Sequence, residues 1–124
     1  MVKFLAIAAG GAIGSVLRYI VSTGIHSVAG RSFPYGTLAV NVVGSLLMGL
    51  LFVVFVDRSS VPEIWRMALL VGLLGAFTTF STFSIETLNL LQSGDYSRAF
   101  VNILLSVFLC IGATWVGLRV GRLL

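Results

Sequence analysis

Between Arg66 and Glu86 the chain reads MALLVGLLGAFTTFSTFSI, residues 67–85, nineteen positions without a charge. As a helix at ~1.5 Å per residue, this stretch reaches the roughly 30 Å needed to cross the hydrocarbon core of a bilayer. Its second half is unlike an ordinary lipid-embedded helix. Phe77-Thr78-Thr79-Phe80-Ser81-Thr82-Phe83-Ser84 carries five hydroxyls in eight residues, behind Gly72 and Gly75. Hydroxyls compete for backbone groups and glycine weakens a helix, so a local break inside this span is expected. A break bares carbonyls, which ligate hard cations such as Na⁺, and amides, which attract anions. In a regular helix Phe77, Phe80 and Phe83 would share a face. That face either packs against lipid or core, or lines a path where electropositive ring edges touch an anion without a full charge to trap it.

Outward from this stretch the charged residues act as punctuation. Twenty-five uncharged residues separate Arg31 from Asp57, and twenty separate Arg98 from Arg119. The first apolar segment, from Phe4 to Ile25, is interrupted only by Arg18, and it runs too long for a cleaved leader and lacks an A-x-A-like site. The expected spans are therefore 4–26, 35–56, 64–85 and 97–120, joined by connections at 27–34, 57–62 and 87–96, with no soluble domain. Composition agrees. The 124 residues are 58% hydrophobic and hold only 8 Lys+Arg and 4 Asp+Glu, whereas a soluble domain carries roughly 25% charged residues. The basic residues are scattered singly, so the footprint of a nucleic-acid partner is missing. Cys110 and His26 are each the sole residue of their type, which excludes an internal disulfide and leaves little for a metal cluster or a hydrolytic or redox enzyme.

Four spans put both termini on one side, together with Lys3, Arg58, Arg66, Arg119 and Arg122; the other side has Arg31 and Arg98, plus Arg18 if it reaches that far. So small a bias fits a single orientation with the termini in the cytoplasm. It equally fits insertion both ways, which permits an antiparallel homodimer.

Polar residues at membrane depth are costly and informative. Gly10 and Gly14 have the GxxxG spacing of close helix packing. Arg18 either snorkels to the interface or has a structural or anion-facing role. Thr37, Asn41, Ser45 and Gly49 form a file at i+4 spacing on the second span, and Asn102, Ser106, Cys110 and Thr114 form another on the fourth. Each file is either interhelical glue or one wall of a hydrophilic path. Glu86 closes the third span, and no carboxylate lies mid-helix anywhere.

Three stretches, Gly10-Gly11-Ala12-Ile13-Gly14-Ser15-Val16-Leu17-Arg18-Tyr19, Gly36-Thr37-Leu38-Ala39-Val40-Asn41-Val42-Val43-Gly44-Ser45 and residues 72–86, together resemble the Fluc (CrcB-type) family of bacterial fluoride channels. The resemblance covers three of the four spans in order and spacing. It implies an all-α membrane protein of four transmembrane helices with a break in the third, assembled as an antiparallel dual-topology homodimer in the bacterial inner membrane. It implies no enzyme, but two fluoride paths per dimer that export cytoplasmic fluoride down its electrochemical gradient. It also implies a central structural Na⁺ on the main-chain carbonyls of Gly75 and Thr78. Asn41, Phe80 and Phe83 match the family's pore-lining amide and phenylalanines, Ser81 and Thr82, with Thr79, the hydroxyls beside them, and Glu86 an acid near the pore end. Asn102, Ser106 and Cys110 sit where the family has a polar track, with the cysteine a departure. Arg18, Gly10 and Gly14 are structural in this scheme. The chemistry is consistent, because strongly hydrated fluoride needs hydrogen-bond donors as water leaves, and neutral donors let it leave again.

Two other readings compete. A small multidrug antiporter has the right size but needs a membrane-embedded carboxylate for proton exchange, and the first span offers Arg18 instead. A non-transporting assembly subunit would use both polar files as glue.

Overall fold

The computed structural model describes residues 1–58 and 60–124, and among these there is no strand. Four helices are long and apolar enough to cross a membrane, over Val2–Ala29, Tyr35–Asp57, Glu63–Gln92 and Tyr96–Leu123. The shortest, with 23 residues, is about 35 Å long at ~1.5 Å per residue. We label Val2–Ala29 α1, Tyr35–Asp57 α2, the two parts of the third span α3 (63–77) and α4 (Phe80–Gln92), and Tyr96–Leu123 α5. The last turn of α2, Val53–Asp57, and the middle of α3, Met67–Leu74, are wound as π-helix.

Burial is inverted relative to a protein folded in water. Among the described residues only Phe33, Val40, Val53, Leu70, Leu74, Phe77 and Ala99 are buried apolar residues, while Phe4, Phe100, Phe108, Trp115 and many aliphatic side chains point outward. With apolar residues on both sides of each helix, association rests on close packing. Small residues supply it. A Cβ on Gly10 would run into the Ala68 carbonyl, one on Gly14 into the Leu73 carbonyl, and one on Gly72 would lie 2.6 Å from the Ile7 carbonyl. The Gly10/Gly14 pair thus seats α1 on α3 within one chain. The broadest contact, α2 on α5, is built the same way, with Gly49 against the Thr114 carbonyl and Gly117 against the Leu46 carbonyl.

The bundle ends are closed by polar ties. Lys3 pairs with Glu63 at 2.7 Å, joining the starts of α1 and α3. Arg58 donates from Nη2 to the Gly121 carbonyl at 3.0 Å, satisfying part of the α5 C-terminus. Asp95 caps α5 by accepting from the Arg98 amide at 3.2 Å and pairs with its guanidinium at 3.0 Å.

The boundaries differ from expectation mainly in the third span, which runs to Gln92 rather than stopping at 85, so the following connection shrinks to 93–95. The helix continues past Glu86, whose Oε1 accepts from the Thr37 hydroxyl on α2 at 2.8 Å. The stop comes at Gly94, whose φ of 81° is left-handed backbone that glycine accepts. Gly30, at φ 84°, likewise follows the end of α1, which extends to Ala29 beyond the expected 26.

Candidate functional site

Within the third span the backbone leaves helical geometry at two residues, Thr78 (φ −85°, ψ 157°) and Thr79 (φ −152°, ψ 115°). In an uninterrupted helix the Thr79 amide would bond the Gly75 carbonyl. Here it donates to Asn41 Oδ1 at 2.7 Å, while Asn41 Nδ2 donates to the Thr79 carbonyl at 3.0 Å. One side-chain amide therefore replaces both backbone partners of Thr79, as a buried peptide unit requires. The Thr79 hydroxyl then caps α4, accepting from the Thr82 amide at 3.1 Å and donating to Thr82 Oγ1 at 3.0 Å. Thr78 Oγ1 donates back to the Leu74 carbonyl at 3.0 Å, and the Thr78 carbonyl accepts from Arg18 Nη1 at 3.5 Å.

A cavity of ≈ 390 Å³ opens beside this pair of residues. Asn41 and Ser45 of α2 and Ser106, Cys110 and Thr114 of α5 line it, so two members of one polar file and three of the other face the same space. Thr78, Thr79, Phe80 and Phe83 complete the polar and aromatic wall. The Phe80 and Phe83 rings lie 5.4 Å apart, tilted by 46°. No ionisable group other than the Cys110 thiol borders the cavity.

The remaining expected residues lie elsewhere. Phe77 is buried in the core on the α3 side of the extended pair, so it does not share a face with Phe80 and Phe83. Asn102 is 1% exposed and is not a wall residue; it turns toward α4 and donates to Thr87 Oγ1 at 2.9 Å. Thr37 holds Glu86 as described, and Gly49 packs on α5. Thr82 lines a second cavity of ≈ 370 Å³ with Ser15, Arg18, Ser22 and Thr37, and Thr79 borders both cavities. Ser81 is exposed, and its hydroxyl lies 3.3 Å from Thr79 Oγ1. Glu86 borders a third cavity, ≈ 400 Å³, beside His26 and Arg31. Gly75 is exposed.

Sequence reasoning missed the mutual clasp of Asn41 and Thr79, because no local pattern links positions 38 residues apart. It also missed the apolar part of the wall, Met48, Val107 and Ile111, which nothing in their spacing separates from lipid-facing neighbours. Ser15 and Ser22 flank Arg18 at −3 and +4, and that spacing could have placed them in its cavity.

Four apolar helices around hydroxyl-, amide- and ring-lined space define a multi-pass membrane protein. Residues 5–118 match the model of the CrcB-like protein, Camphor Resistance (CrcB), and the chain belongs to that family. It is 58% identical over 118 residues, 95% of this chain and 96% of the relative, to a protein of Magnetococcus marinus named Fluoride-specific ion channel FluC. A Geobacter sulfurreducens protein of the same name is 47% identical over 122 residues, 98% of both chains. A third, from Methylococcus capsulatus, is 51% identical over 120 residues, and the chain spans 53% of its length. These relatives are named as channels, not enzymes, and the motifs around Gly10, Gly36 and Gly72 carry the resemblance that the family match bears out.

Proposed function

We propose that this chain is a fluoride channel and that the cavity between α2, α4 and α5 is part of the anion's path. The observation that carries the reading is the composition of its wall: an amide, hydroxyls and two phenylalanine rings converge there without a Lys, Arg, Asp or Glu. Asn41 Nδ2 spends one hydrogen on Thr79 and keeps a second for a ligand. Phe80 and Phe83 add electropositive edges, and the hydroxyls of Ser45 and Ser106 can turn to donate. Such neutral donors compensate a strongly hydrated anion for lost water without holding it. The second cavity, with Arg18 and Thr82, shares Thr79 with the first and supplies a polar approach to it.

The functional unit in this proposal is an antiparallel, dual-topology homodimer with two paths, seated in a bacterial inner membrane. The open cavity of a single copy, the 78% exposure of Phe80 and the small excess of basic residues on one side support it. In this reading the extended Thr78–Thr79 pair serves as the break in the third helix. A structural Na⁺ fits there on donor chemistry. The Gly75 carbonyl has lost its usual partner, the Thr79 amide, and the Thr78 carbonyl is met only by a guanidinium at 3.5 Å. Main-chain oxygens of this kind suit a hard cation. When bound, that ion supplies positive charge at the helix break, and Arg18 shares or yields the Thr78 oxygen. Fluoride then leaves the cytoplasm down its electrochemical gradient, with the chain supplying only the path.

The experiment is growth on fluoride of a bacterial host that lacks its own fluoride exporter. Expression of this chain restores growth, and expression that leaves the host as sensitive as before contradicts the proposal.

A further inference from the structure

A hydrogen-bonded chain runs behind the cavity wall. Ser106 Oγ donates to Asn102 Oδ1 at 3.5 Å, Asn102 Nδ2 donates to Thr87 Oγ1 at 2.9 Å, and Thr87 Oγ1 donates to the Phe83 carbonyl at 2.7 Å. Its two ends, Ser106 on α5 and Phe83 on α4, are both wall residues, while its two middle members are 1% and 7% exposed and do not reach the cavity. Burying an amide and a hydroxyl is unfavourable unless each is bonded, and an apolar pair would fill the same space without that requirement. The clasp is also well placed to matter, because α4 packs on the rest of the bundle far more sparsely than α2 packs on α5.

We infer that Asn102 and Thr87 are positioning residues, setting how far the Phe83 ring stands from the Ser106 hydroxyl and hence the width of the path; this rests on the cavity being the fluoride path. The clasp acts through the Phe83 carbonyl and the Ser106 side chain. Loss of either partner frees α4 to shift, and the ring edge no longer meets the anion opposite Ser106. Because the two residues form one contact, removing both does little more than removing one.

The test is unitary fluoride conductance in planar bilayers, with fluoride flux by the unaltered protein as the reference. Thr87→Val keeps the side-chain shape and removes the hydroxyl; Asn102→Leu removes the donor. Each lowers unitary conductance at least threefold, Thr87→Ser stays within twofold of the reference, and the double variant falls no further than the worse single one. Simple helix glue would change the number of channels but not the conductance of each. Wild-type unitary conductance in Thr87→Val, or losses that multiply in the double variant, overturns the inference. So does a result in which neither Thr87→Val nor Asn102→Leu gives monodisperse protein while Thr87→Ser does, since the pair would then only hold the fold. A reference protein that passes no fluoride overturns the underlying channel reading instead.

Discussion

Asn41→Asp changes one nitrogen to oxygen at the residue that both braces Thr79 and faces the cavity. The Asp oxygen in the Oδ1 position still accepts from the Thr79 amide, but the second oxygen now stands against the Thr79 carbonyl where Nδ2 donated at 3.0 Å. A lost hydrogen bond is worth about 1 kcal/mol and a carbonyl left unsatisfied about 1–3 kcal/mol, so the extended segment is weakened by roughly 2–4 kcal/mol. The larger effect falls on the ion. A unit negative charge ~4 Å from an anion repels it by about 4 kcal/mol at an effective dielectric of ~20, and each ~1.4 kcal/mol is tenfold. Fluoride flux should therefore fall on the order of 10²–10³-fold. The assay is fluoride release from liposomes, with size-exclusion chromatography and thermal unfolding of the same sample to separate folding from permeation. A folded Asn41→Asp protein with near-normal flux would refute the placement of Asn41 on the path.

Phe80→Ile and Phe83→Ile keep bulk but remove the ring edge, so each should give folded protein with flux reduced at least tenfold; near-normal flux in both would return the rings to packing. Gly14→Leu and Gly75→Leu should separate cleanly. The first forces a side chain into the Leu73 carbonyl inside one chain and should yield little monodisperse protein, since overpacking costs about 1–3 kcal/mol or more. The second meets nothing nearer than the Leu70 carbonyl at 3.7 Å, so the chain should fold while dimer recovery and flux fall; unchanged flux and oligomeric state would contradict the central Na⁺ and the dimer axis at this face. Cysteine tags at the termini, in a Cys110→Ser background, should label from both faces of the membrane, and labelling from one face alone would sink the antiparallel assembly.

The spans were readable because lipid imposes a simple rule: about twenty uncharged residues between charges. That rule places α2 and α5 within a few residues. It fails at Glu86, whose carboxylate is bonded to Thr37 and past which the helix continues six residues further, to Gln92. The two polar files were readable from i+4 spacing, and five of their eight members meet in one cavity. Asn102 was misplaced because spacing gives the face of a helix but not its neighbour. It sits one turn before Ser106, where α5 faces α4 closely enough to bury it. The Phe stripe failed for a related reason, since two extended residues change the phase between Phe77 and Phe80 and no periodicity survives them. Thr82 and Glu86 border cavities other than the main one, and Ser81 is exposed, because spacing along one helix does not say which neighbour each residue meets.

The most direct measurement is ion release from liposomes loaded with both fluoride and chloride and containing only the purified chain, followed with electrodes selective for each anion and with a cation ionophore to clamp the voltage. The account predicts fast fluoride release with chloride retained. Liposomes that keep their fluoride, or that release the two anions together, would contradict it.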